Sequence, residues 1–228
     1  LYLLKRDSIS FDLNPTLYAT PGLPTLTEWR DMWSVWDKIT LEMVPKKLLG
    51  EKPIMLRHNL IFYLGHCPNF LDLQISKVVD GLSLEKYSYY NEIFERGIDP
   101  DVDDPQKCHP HSKVPEVWPP LEEILEYQCA VHAKLETVYK SKKINHDIAS
   151  AIWVSFEHQL MHLETFLYMI LHLDDIMPPT KYTPDFEAEA KKAKAMRVPN
   201  KWFQIPSQKI TIGIEDLGDA QTNKGSFG

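Results

Sequence analysis

Leu60-Ile-Phe-Tyr-Leu-Gly-His66-Cys-Pro-Asn-Phe-Leu-Asp-Leu-Gln-Ile-Ser-Lys-Val78 reads as the heart of a helix that spans roughly residues 54–79. It is apolar over much of its circumference, so it belongs in the middle of an assembly of helices rather than on a surface. Pro68 lies inside it and removes the N–H that would bond the Leu64 carbonyl, which predicts a kink there. Gly65 allows another helix to approach closely, and Gly81 closes the helix.

Three further amphipathic stretches surround this one. Thr25-Leu-Thr-Glu28 has the form of a capping box, and Trp29, Met32, Trp33, Trp36, Ile39 and Met43 follow at helical spacing. That predicts a helix over about 26–44, ended by Pro45. Pro120 opens the next, with Glu122 and Glu123 in its first turn and Lys140, Lys142 and Lys143 near its end, the polarity the helix dipole favours. The last starts near Asp147 with Asn145 as cap and runs to about Leu171, before Pro178 and Pro179. A shorter helix is expected over 83–96, and a proline- and aspartate-rich loop over 97–120. The fold class read from this pattern is all-α, a four-helix bundle.

After about residue 180 the character changes. Residues 181–194 suggest a charged helix, and 205–213 alternate in the manner of a strand. A lone strand cannot bury its own face, so it reads as the start of a second domain. The organisation expected is a linker over 1–24, the metal-binding bundle over 25–180, a linker over 181–204 and a truncated domain start over 205–228.

Composition narrows the function. Hydrophobic residues make up 43% and charged residues 25%, ordinary for a globular protein. The net charge of −7 argues against nucleic acid and against an anionic membrane surface as partners. No apolar run approaches the length of a membrane span. Three cysteines without paired spacing fit a reducing, cytoplasmic setting. The chain opens on Leu1, with no signal-peptide pattern, and is read as a piece of something longer.

The chemistry concentrates in Glu157-His158-Gln-Leu-Met-His162-Leu-Glu164. Histidines at i and i+4 stand about 40° apart around a helix, so both rings reach one ion. Met161 and Thr165 border that face, while Glu164 points elsewhere and suits a supporting role. His66 supplies a third nitrogen, because an imidazole in so apolar a helix is costly unless its nitrogens are satisfied. Three neutral imidazoles suit Fe(II), Zn(II), Ni(II) or Cu(II) on ligand type alone. The Cys108-His-Pro-His111 segment lacks the second half of a zinc site and reads as a polar loop. His132 reads as a core histidine, Cys67 as packing, and His58, His146 and His172 as cap, boundary or surface residues.

Residues 64–72, Ser88-Tyr-Tyr-Asn91 and residues 157–164 together resemble the DinB-like domain of ergothioneine-pathway sulfoxide synthases. Residues 94–101, 108–111 and 118–120 are similar to the eukaryotic, multidomain form. The resemblance covers about residues 26–228 and makes 205–228 the start of a formylglycine-generating-enzyme-like domain. It implies Fe(II) as cofactor on His66, His158 and His162, and hercynine, cysteine and O2 as substrates, joined to give a sulfoxide. It further implies that Arg96 holds the sulfur donor's carboxylate, and that the missing domain packs on the bundle and carries the catalytic tyrosine. Met161 stands where bacterial members often carry a polar Gln. Two other classes remain in view: a DinB-like zinc hydrolase or thiol transferase, and a non-catalytic interaction module.

Overall fold

The computed structural model describes residues 23–104, 106–178, 185–204 and 206–209. The chain divides into two units, one of residues 23–182 and one of residues 1–22 with 183–228. The described part of the latter is a helix over Phe186–Ala195, capped by the Asp185 carboxylate, followed by irregular chain. The strand expected over 205–213 lies outside the described residues except for 206–209, which are irregular. The linker of residues 1–24 also lies outside them, apart from Leu23 and Pro24, as do residues 210–228.

The larger unit is all-α, and no strand occurs among the described residues. Helix α1, Leu26–Asp37, begins at the expected capping box. Thr25 Oγ1 accepts from the Glu28 N–H at 3.2 Å, and the Glu28 carboxylate accepts from the Thr25 N–H at 2.6 Å. Trp29, Met32, Trp33 and Trp36 face the core. The α-helix does not continue to residue 44 as its periodicity predicts. It widens into a π-helical turn over Lys38–Glu42, where Met43 N–H reaches the Lys38 carbonyl at 3.1 Å. The Thr40 hydroxyl donates to the Trp36 carbonyl at 2.9 Å within this turn, and both Ile39 and Thr40 are buried there.

Helix α2, Leu60–Val78, is the central element and packs against both α4, Leu121–Ser141, and α5, His146–Ile170. It starts six residues later than its apolar pattern suggests. The segment before it folds back, so that Leu60 N–H bonds the Glu51 carbonyl at 3.0 Å and Ile61 N–H bonds Leu49 at 2.8 Å. Loop carbonyls thus satisfy first-turn donors that an extra helical turn would otherwise take. Pro68 sits inside α2 as expected. The helix predicted over 83–96 is reduced to a 3₁₀ turn at Glu85–Tyr87 and a short α3, Tyr90–Phe94. Asn145 caps α5, its side chain accepting from Ile148 N–H at 2.9 Å.

A buried polar network ties α2 to α3 and α4. The Lys134 ammonium donates to an Asp72 carboxylate oxygen and, at 2.6 Å, to the Ser76 hydroxyl. Tyr127 Oη donates to the other Asp72 oxygen at 3.0 Å, and the Asn69 amide donates to Asn91 Oδ1 at 2.7 Å and to Tyr127 Oη at 3.2 Å.

Residues 97–104 and 106–120 are irregular, as the prolines require, but they are fastened. Ser112 N–H bonds the Arg96 carbonyl at 3.1 Å, Arg96 N–H bonds Ser112 Oγ at 2.8 Å, and Lys113 N–H bonds Glu92 at 3.0 Å. After α5 the chain returns to the end of the first helix. Met177 N–H donates to the Met43 carbonyl at 2.8 Å, and Lys47 pairs with Asp175 at 2.6 Å. No helix among the described residues is long and apolar enough to cross a membrane.

Candidate metal centre

Helices α2 and α5 bring His66, His158 and His162 to one point. His162 Nε2 lies 3.1 Å from His66 Nε2 and 3.1 Å from His158 Nε2. The three form the one group of potential ligands that lies within 4.8 Å among the described residues. Two nitrogens bound about 2.1 Å from one ion stand about 3.0 Å apart at a right angle and about 3.4 Å apart at the tetrahedral angle. The observed spacings fall between those limits.

The proton positions favour a cation. His66 Nδ1 is 2.6 Å from the Phe94 carbonyl, which can only accept, so the His66 proton sits on Nδ1 and its Nε2 lone pair is free. Thr165 Oγ1 donates to the His162 carbonyl at 3.2 Å and lies 3.4 Å from His162 Nδ1, where it offers a lone pair. With that assignment His162 also turns a lone pair inward, and two lone pairs 3.1 Å apart repel unless a cation lies between them. His158 Nδ1 is buried without a hydrogen-bond partner among the described residues, and its ring stacks on Phe70 at 3.7 Å.

Burial keeps all three rings neutral, the form that binds metal. It pushes His66 down to about 4, against an upward pull from the Phe94 carbonyl. His158 falls to about 2 through burial and then the neighbouring His66 and His162. His162 falls to about 3 through burial, His66 and the Arg57 guanidinium.

A cavity of about 340 Å³ opens onto the cluster, and Arg96 is among the residues that line it. Met161 and Thr165 border it, as expected. Glu164 is exposed on α5 and does not line the cavity, so a supporting role for it finds no contact. Arg57, which the sequence reading passed over, lines the cavity as well. It donates to the Ile98 carbonyl at 3.3 Å and stands 3.6 Å from Asp99. No pattern in the sequence around Arg57 marks it for this cavity. Tyr63 joins the lining, its phenol pushed up to about 12 by burial. The Phe94 carbonyl is a backbone group and leaves no mark in a sequence.

His58 is corrected: it is no cap or surface residue but is 1% exposed and stacked on Phe62 at 3.8 Å. His132 packs face to face on Trp33 at 3.5 Å, in keeping with a core role. Cys67 is buried, and burial pushes its thiol up, which leaves it to packing. Cys108 and His109 are exposed loop residues outside the histidine cluster.

These histidines set an acid limit on the metal-free chain. His58 and His66 are held at about 4, His132 and His162 at about 3, and His158 at about 2, all below the ordinary value of 6.5. Unfolding therefore takes up protons once the pH drops below about 6.5, at about 1.4 kcal/mol per pH unit for each proton. Stability is full above that pH and declines toward pH 4, where His58 and His66 begin to protonate in the folded chain too. Urea midpoints measured between pH 7.5 and 4.5 without metal should fall steadily. A flat profile would contradict the burial of these rings.

No protein-family model matches the chain. It is 48% identical over its whole length to a Neurospora crassa protein named ergothioneine biosynthesis protein 1, of which it spans 26%. It is 32% identical, over 84% of its length, to the Schizosaccharomyces pombe protein of the same name, and the match spans 25% of that protein. The chain thus corresponds to about a quarter of the length of these curated relatives. With that degree of identity across its full extent, it belongs to the family of ergothioneine biosynthesis protein 1.

Proposed function

We propose that this chain is part of a non-haem Fe(II)-dependent sulfoxide synthase that joins cysteine to hercynine with O2 in ergothioneine biosynthesis. The observation that carries the reading is the convergence of three neutral imidazoles in a chain of this family. In this reading residues 25–180 are a DinB-like bundle and residues 205–228 begin a formylglycine-generating-enzyme-like domain that packs on it. The three free cysteines, two of them exposed, accord with a cytoplasmic setting.

His66, His158 and His162 hold the iron, which when bound supplies the activation of O2. The rest of the site belongs to the chain's own residues. Arg96 binds the carboxylate of cysteine, and Arg57 adds a second positive charge to the same cavity. Phe70, Tyr63 and Met161 restrict water around the ring nitrogens. Hercynine and the thiol are oriented against one another in the mouth of the cavity, where the remainder of the longer protein completes the enclosure.

The test is an anaerobic titration of the chain with Fe(II) and, separately, Zn(II), followed by assay of the full-length protein with hercynine, cysteine and O2. One-to-one Fe(II) binding and O2-dependent sulfoxide formation are expected. Zinc binding with no requirement for O2 would move the assignment to a hydrolase or thiol transferase. Absence of metal from both the chain and the full-length protein would leave an interaction module.

A further inference from the structure

Gly65 precedes the first histidine of the cluster, and what it faces is unusual. A Cβ added there would lie 2.4 Å from Cζ of Phe94 and 2.5 Å from both Cε atoms of that ring. The tip of the Phe94 ring is therefore seated against the backbone of α2, in space that any side chain at residue 65 would fill. Phe94 is fully buried, packs edge-on to Tyr90 at 5.1 Å and lies nearly parallel to Trp118 at 5.8 Å. With its ring held on three sides, its own carbonyl is delivered to His66 Nδ1 at 2.6 Å.

We infer that Gly65 and Phe94 act together as positioning residues: the glycine seat sets the depth of α3 against α2, and that depth fixes the proton of His66 on Nδ1. The next residues extend the effect. Arg96 lies two residues beyond Phe94, lines the cavity, and is tied by backbone and hydroxyl bonds to Ser112. One short segment thus presents both the carbonyl that orients a ligand ring and the cation that faces the substrate space. The glycine is required by this approach and not by backbone conformation, since it sits in the interior of α2.

The inference rests on the metal-site reading for its effect on affinity, but not for its effect on the ring. The experiment compares the wild-type chain, Gly65→Ala, and Gly65→Ala combined with Phe94→Leu. Leucine ends at Cδ, so it lacks the Cε and Cζ atoms that the new methyl would strike. Two quantities are read: Fe(II) affinity under anaerobic conditions, and the His66 tautomer from long-range ¹H–¹⁵N correlations of the metal-free chain at pH 7.5. Gly65→Ala is expected to lose Fe(II) affinity by about 10–100-fold, the usual cost of disturbing the partner of a ligand ring. It should also lose the pure Nδ1–H tautomer, and the double variant should recover both. If Gly65→Ala does not fold, recovery of folding and tautomer in the double variant supports the seat. Wild-type tautomer and affinity in Gly65→Ala would overturn the inference, as would a loss that Phe94→Leu fails to relieve. If the wild-type chain binds no Fe(II), the metal reading fails while the tautomer comparison still decides this one.

Discussion

Replacing Asp72 by alanine should destabilise the bundle by about 3–5 kcal/mol, the cost of removing one partner of a buried ion pair. Asp72 and Lys134 have side chains only 11% and 3% exposed, so the ammonium has no route to water when the carboxylate is gone. It keeps the Asp72 backbone carbonyl at 3.2 Å and the Ser76 hydroxyl, both neutral, and loses its counter-charge. Tyr127 loses its acceptor in the same step. Because the network joins α2, α3 and α4, the loss should appear as a drop in the whole unfolding transition, read by urea denaturation. The double replacement Asp72→Leu with Lys134→Met should recover most of that loss, since apolar residues of similar volume often match a buried pair in stability. A small effect of Asp72→Ala alone would show that the pair is hydrated.

Replacing His162 by alanine should abolish Fe(II) binding within the accessible range, a loss greater than the about 100-fold that supporting residues cost. His162 Nε2 is the atom placed 3.1 Å from both other rings, so its removal breaks both close pairs at once. The fold should survive, because removing this ring relieves its lone-pair crowding against His66 in the metal-free site. The acid decline of stability should become shallower by one proton. The measurements are anaerobic calorimetry with Fe(II) and a thermal melt of each metal-free protein. Unchanged Fe(II) affinity in the variant would remove the three-histidine site altogether.

What could be read from the sequence depended on whether the signal was local. The capping box at Thr25 and the Asn145 cap satisfy nearby backbone N–H groups, the fixed ring of Pro120 suits the start of α4, and each lies where the sequence places it. The histidine cluster was legible because helix periodicity fixes which side chains share a face, and one apolar helix carried one costly ring. The π turn at residues 38–42 was not, because adjacent apolar residues Met43 and Val44 let the same sequence read as an unbroken α-helix. The late start of α2 depends on carbonyls of Leu49 and Glu51, which are set by tertiary folding. Arg57 was missed for the same reason: nothing near it in sequence says that residues 96–99 return to meet it.

The bond between Met177 and Met43, backed by the Lys47–Asp175 pair, has a mechanical meaning. Six residues lie between Ile170, the end of α5, and Met177. A pull or twist on the chain beyond residue 178 is anchored first on the end of the α1 segment, before it can travel along α5. The helix that carries His158 and His162 is strain-relieved, as a cable is clamped before its connector.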